Sequence, residues 1–165
     1  MGSKINTILR DKLFSTNEST AISAVTELQS EGNKLYLPIL FELLLSTKTE
    51  KLKNEILKLL GTVKDKETIP TFIEALENDK FKAIRKDILV TCWQNGLDFS
   101  DYFRVFVNII IKDEWANAFE AFTVIENLEY FPPKEEFKTI KLEIANALKT
   151  VDEQKAYFLE EILKI

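Results

Sequence analysis

The side chains in this sequence best suited to chemistry are cations that recur at a fixed interval. Lys48, Lys51, Lys53 and Lys58 are followed by Lys80, Lys82, Arg85 and Lys86, so that Lys53 falls in register with Arg85 and Lys48 with Lys80. A basic stripe of this kind can hold an anionic partner, such as an acidic peptide or a nucleic-acid backbone. Glu50, Glu55, Asp79 and Asp87 interrupt it, and an ordinary solvated helix face is the simpler account. Arg85 has a structural role open to it as well, because Asp79 is placed to pair with it across a turn. Trp93 and Trp115 are the other candidates. Trp93 takes the register of Gly61 at a helix end, and Trp115 starts a helix among polar neighbours. Either could anchor a partner, as tryptophans often do at binding hot spots, or pack into a groove between repeats. Lys53, Arg85, Lys86, Trp93 and Trp115 are therefore the candidate partner-binding residues.

Covalent chemistry has little to work with. The chain has no histidine and a single cysteine, Cys92. That removes Ser-His and Cys-His nucleophilic pairs, imidazole bases and every His-containing zinc or iron site. A lone cysteine also forms no internal disulfide and suits a reducing compartment. Cys92 takes the register of Leu60 and has no charged neighbour to activate it, so it reads as a small core residue. The expectation is a protein that is not an enzyme, with no cofactor and no metal.

The elements that must position these residues come from a repeat. Leu37-Pro38 recurs as Ile69-Pro70 at an offset of 32. At the same offset Glu42 meets Glu74, Leu44 meets Leu76, Lys53 meets Arg85, and Ile56-Leu57 meets Ile88-Leu89. Matches on polar as well as apolar positions exceed what shared amphipathic periodicity requires. Five units of about 33 residues account for the 165-residue chain, each a pair of helices. In the second unit Leu37, Leu40 and Leu44 line one helix, and Leu52, Ile56 and Leu60 the next. Ser46 to Thr49 makes the turn between them. Gly61 is placed for a left-handed residue after the second helix. Asp65 can cap the next one. Pro38 and Pro70 suggest a bend built into the first helices, and Pro132-Pro133 opens the fifth unit. One pair cannot bury its apolar stripe alone, so neighbours must stack. Ile56, Leu57, Leu60, Ile88, Leu89 and Cys92 are expected between successive units, and the aromatics of the fourth unit in its core.

The segment ETIPTFIEALENDKFKAIRKDIL, residues 67–89, resembles the HEAT repeats. That family often has proline in the first helix, Asp in the turn and an apolar-Arg pair early in the second helix. Pro70, Asp79 and Ile84-Arg85 stand at those places here. The second unit keeps Pro38 but has Thr47 and Lys53 at the other two, and the fourth has Phe103 at the proline position. The resemblance implies an all-α fold: an α-α superhelix (solenoid) of about five antiparallel helix pairs, residues 1–165 as one domain. It also implies partner binding on a concave face lined by the second helices. Deoxyhypusine hydroxylase-like relatives need His-Glu iron ligands, which this chain lacks. HEAT-like DNA glycosylases bind DNA through basic and aromatic residues with an acid, for which Lys53, Arg85, Lys86, Trp93 and Asp98 would have to serve. A sequence pI of about 5.0 lacks the basic excess expected of that surface.

Charge is uneven along the chain. Residues 1–112 carry 16 basic and 15 acidic residues, whereas residues 113–165 carry 6 and 12. An acidic last third can cap a solenoid with a polar face, or dock on a basic partner. Lys4, Arg10, Asp11 and Lys12 interrupt any secretory apolar stretch, and Asn6 sits where a myristoylation signal wants Ser or Thr. The longest apolar run, residues 35–45, is too short to cross a bilayer. The sequence thus predicts a cytoplasmic, non-membrane scaffold that binds an unidentified protein or peptide rather than nucleic acid. The alternative is a nucleic-acid-binding protein of the glycosylase type.

Overall fold

Short polar side chains decide where several of the helices begin. Asn33, Asp65 and Asp98 each accept a hydrogen bond from the backbone N–H two residues on, at 2.9, 2.9 and 3.0 Å. Such Asx turns satisfy a donor that a helix start would otherwise leave open. Each introduces one 3-10 turn, Lys34–Tyr36, Lys66–Thr68 and Ser100–Tyr102, which continues directly as an α-helix.

The computed structural model describes residues 4–165. They form an all-α fold of ten α-helices and a few 3-10 turns, without a strand among the described residues. The helices are α1 (Thr7–Leu13), α2 (Glu18–Glu31), α3 (Leu37–Ser46), α4 (Glu50–Leu60), α5 (Ile69–Glu77), α6 (Arg85–Gln94), α7 (Phe103–Lys112), α8 (Trp115–Glu126), α9 (Lys134–Ala147) and α10 (Glu153–Leu163). Met1, Gly2 and Ser3, on which a myristoylation signal would depend, lie outside the described residues. Among the described residues no helix is long and apolar enough to cross a membrane.

Pro38 and Pro70 occupy the second positions of α3 and α5. A helix start has no intrahelical partner for that N–H, so proline costs nothing there. The two prolines begin helices instead of bending them, which corrects the expectation of a built-in kink. Gly61 also differs from expectation, since it keeps right-handed helical angles (φ −71°, ψ −8°). Among the described residues the left-handed one is Gly96, with φ 74°, after the sixth helix. Pro133 caps α9 as its sequence suggested.

The described residues gather into two compact units, one ending at Leu97 and the other spanning Asp98–Ile165. In the first, each helix packs on the next within the pairs α1–α2, α3–α4 and α5–α6. Second helices also pack on second helices, α2 on α4 and α4 on α6, while α3 lies against α5. Ile56, Leu60, Ile88, Leu89 and Cys92 are all buried there, as the repeat register requires. Leu57 is not. It is only half-buried, although it holds the register of Leu89. Phe41 sits edge-on to Phe72 at 5.6 Å in the same core. Burial pushes the Cys92 thiol up, so it stays protonated and unreactive.

In the second unit α7 packs on α8 and α9, and α8 and α9 each pack on α10. Its core holds Phe99, Phe103 and Phe106, with Phe99 and Phe106 edge to face at 5.9 Å. The end of α7 is closed from a distance. Lys155 of α10 is buried and donates from Nζ to the carbonyls of Ile111 at 3.0 Å and Asp113 at 2.8 Å. A cation at a helix C-terminus satisfies carbonyls that have no partner within the helix. Lys155→Met keeps the apolar stem but strands those carbonyls. It should cost about 1.5–3 kcal/mol, the range for hydrogen bonds to a charged group. Urea unfolding followed by Trp115 fluorescence measures that loss, and an unchanged midpoint would refute the assignment.

Candidate functional site

Three cations of the basic stripe, Lys53, Lys80 and Arg85, are paired with carboxylates. Lys53 pairs with Asp87 at 3.5 Å, bridging α4 and α6, and Lys80 pairs with Glu42. Arg85 is buried and pairs with Asp79 at 3.5 Å, across the 3-10 segment Asp79–Ile84 that leads into α6. It therefore holds the turn. Lys86 is exposed and Trp93 half-buried at the end of α6. Exposed ion pairs such as Lys80–Glu42 contribute little to stability. They do offset part of the positive charge that a polyanion would meet. Asp98, the acid a glycosylase-like reading needed, is spent on capping: it accepts from the backbone N–H and hydroxyl of Ser100. Among the described residues no cluster of acidic and cysteine side chains could hold a metal ion.

A groove of about 620 Å³ opens in the first unit, floored by Leu28, Leu37 and Leu59 and edged by Lys34 and Lys64. Lys58 also lines it, and the other two lysines are engaged. Lys34 contacts Glu67 at 2.6 Å, which raises its pKa through the hydrogen bond and the neighbouring charge. Lys64 donates to the carbonyl of Asn95.

The second unit carries a different kind of surface. Trp115, Phe119 and Phe122 recur at i, i+4 and i+7 and so share one side of α8. Ala118, Ala121, Val124 and Ile125 form a second apolar stripe on the adjoining side of the helix, and that one is buried. Its alanines let α8 lie close to α7. The larger rings are left outside, with Trp115 46% and Phe119 44% exposed. They are not loose. Trp115 stacks on Phe119 at 5.5 Å, and both reach Phe158 of α10, at 6.4 and 6.2 Å. Phe122 stacks on Phe158 at 5.1 Å, and Tyr157, 58% exposed, meets the same ring at 5.9 Å. Aromatic pairs in these geometries contribute roughly 0.5–1.5 kcal/mol each. The result is a continuous, pre-ordered aromatic face on two helices.

Other exposed rings of this unit are tied down locally. The Tyr130 hydroxyl donates to Asp101 at 2.5 Å, which holds its pKa up at about 12. Phe131 packs against both Phe103 and Phe137, at 5.9 Å from each, and those two rings meet at 5.3 Å. The expectation that the fourth unit's aromatics fill a core holds for Phe99, Phe103 and Phe106. It fails for Trp115, Phe119, Tyr130 and Phe131, which are exposed.

Of the five sequence candidates, Lys53 and Arg85 are ion-paired, and Lys86 and Trp93 lie with them in the first unit. Trp115 belongs to the second unit and to the aromatic face. Sequence reasoning passed over Tyr157 and Phe158. It also missed that Phe119 and Phe122 lie with Trp115, a signal present in the four- and three-residue spacing of these rings on α8. No known family model and no curated protein matches this sequence.

Proposed function

We propose that this chain is a non-catalytic protein-interaction module, each unit a stretch of HEAT-like solenoid, with the aromatic face of α8 and α10 as its contact surface. The observation that carries the reading is the contiguous exposure of Trp115, Phe119 and Tyr157 around Phe158. Exposed apolar residues are ordinary when scattered, whereas a joined patch marks a place where something else is meant to sit. Aromatic rings already locked against one another lose little entropy on binding, as interface anchors require. The HEAT-like reading draws on the packing of second helix on second helix within each unit, α2–α4–α6 and α8–α10. In such a solenoid these helices line the concave side, so the aromatic face would lie there.

The test compares wild-type bait with the Trp115→Ala, Phe119→Ala, Tyr157→Ala triple variant. A partner retained by the first should be lost by the second, although helicity by circular dichroism is unchanged. Calorimetry with the purified partner should show a loss of at least about 2 kcal/mol, the scale of a hot-spot cluster. Retention of the partner by the triple variant would refute the assignment. Micromolar, salt-sensitive DNA binding abolished by Lys53→Glu with Lys86→Glu would replace it with the nucleic-acid reading.

A further inference from the structure

The charges around the aromatic face point to the chemistry of what covers it. Helix α8 contains no basic residue, and its Glu126 follows Phe122 by one turn on the aromatic side. On α10, Glu153, Glu160 and Glu161 all stand within one turn of Tyr157. The single basic residue inside α10, Lys155, is buried with its ammonium committed to the carbonyls of Ile111 and Asp113. Lys164, just beyond the helix, pairs with Glu161 at 2.5 Å. Glu126, Glu153 and Glu160 are exposed. Lys112, exposed at the end of α7 three residues before Trp115, is the exposed cation nearest the face in the sequence. The face is therefore apolar and aromatic at its centre and mostly negative around its edge, within a stretch of net charge −6.

Resting on the interaction-module reading, we propose that this face binds a basic amphipathic helix of a partner protein. Apolar side chains of that helix would cover Trp115, Phe119 and Tyr157, and its flanking Lys or Arg side chains would meet the nearby glutamates. Complementary charge sets orientation and speeds encounter, and arginine gains further by lying over exposed aromatic rings. Helix-in-groove recognition, with anchors spaced three and four residues apart, fits the rings that α8 presents at that same spacing beside Tyr157 of α10. An acidic segment would instead bring like charges together, which costs affinity.

Fluorescence anisotropy with labelled helical peptides decides the matter, using the full chain. One peptide has leucines on one face and arginines on the other, a second replaces each arginine by glutamate, and a third replaces each leucine by serine. The Leu/Arg peptide should bind at least about tenfold more tightly than either of the others, and the margin should shrink as salt rises. Trp115→Ala should weaken it about tenfold. Glu153→Lys with Glu160→Lys should weaken the Leu/Arg peptide and strengthen the Leu/Glu one, with helicity unchanged by circular dichroism. Equal binding of the Leu/Arg and Leu/Glu peptides, both lost in Trp115→Ala, would overturn the basic partner and leave the docking face standing. Leu/Arg binding indifferent to Trp115→Ala, or no peptide binding at all, would overturn both. A concentration-dependent dimer in sedimentation equilibrium, lost in Trp115→Ala, would assign the face to a second copy of this chain and overturn the basic partner.

Discussion

Phe106→Ala should lower the stability of the second unit by about 3–5 kcal/mol, the usual cost of truncating a buried phenylalanine. Its ring is fully buried at the centre of α7 and meets Phe99 edge to face at 5.9 Å. Val107 and Ile110 beside it are fully buried as well, and Phe103 almost so. Removing the ring forfeits its transfer free energy. It also leaves a void that this packed layer can only partly close, since neighbouring rings have few alternative rotamers. The unit from Asp98 to Ile165 is small, so its margin is correspondingly thin. The two tryptophans give a clean readout, because Trp93 and Trp115 fall in different units. In a Trp93→Phe background, urea unfolding followed by Trp115 fluorescence reports on the second unit. A loss below about 1 kcal/mol would show that the α7 core is not packed as described.

Leu89→Ala should cost about 2–5 kcal/mol in the first unit, whereas Leu57→Ala should cost less than about 1.5. The two residues hold the same register of the repeat and have the same side chain. Leu89 is fully buried, and Leu57 keeps part of its surface in water. A partly exposed leucine has less transfer free energy to lose and leaves no sealed cavity. Trp93 fluorescence in a Trp115→Phe background follows the first unit. Reaction of Cys92 with a thiol reagent gives a second probe, because the buried thiol becomes available only on unfolding. Equal losses at both leucines would mean that the register, and not burial, sets their contribution.

That contrast marks the boundary between what was legible in the residues and what was not. The offset of 32 between Leu37-Pro38 and Ile69-Pro70 marks two equivalent positions, and both prolines do stand at the same place, although that place is the second position of a helix and not the expected bend. The same offset predicts the burial of Ile56 with Ile88 and of Leu60 with Cys92, which holds. Proline geometry, short polar caps and a period near 3.6 are local properties, so a sequence states them directly. The lack of histidine likewise narrows the available chemistry without any fold at all.

Tertiary structure decided what local rules leave open. A period identifies the faces of a helix but does not name what each face will meet. On α8 two apolar stripes compete for the core, and the alanine stripe wins because it lets α7 approach closely, leaving Trp115 and Phe119 outside. Lys53 finds Asp87, Arg85 finds Asp79, and Lys155 reaches the carbonyls that end α7. The sequence alone anticipated the Arg85 pair, whose partners lie six positions apart across one turn. The Lys155 contact spans more than forty residues, and only the docking of α10 against α7 brings its ends together. Separation along the chain is the physical reason: local geometry fixes near pairs, and packing selects the distant ones.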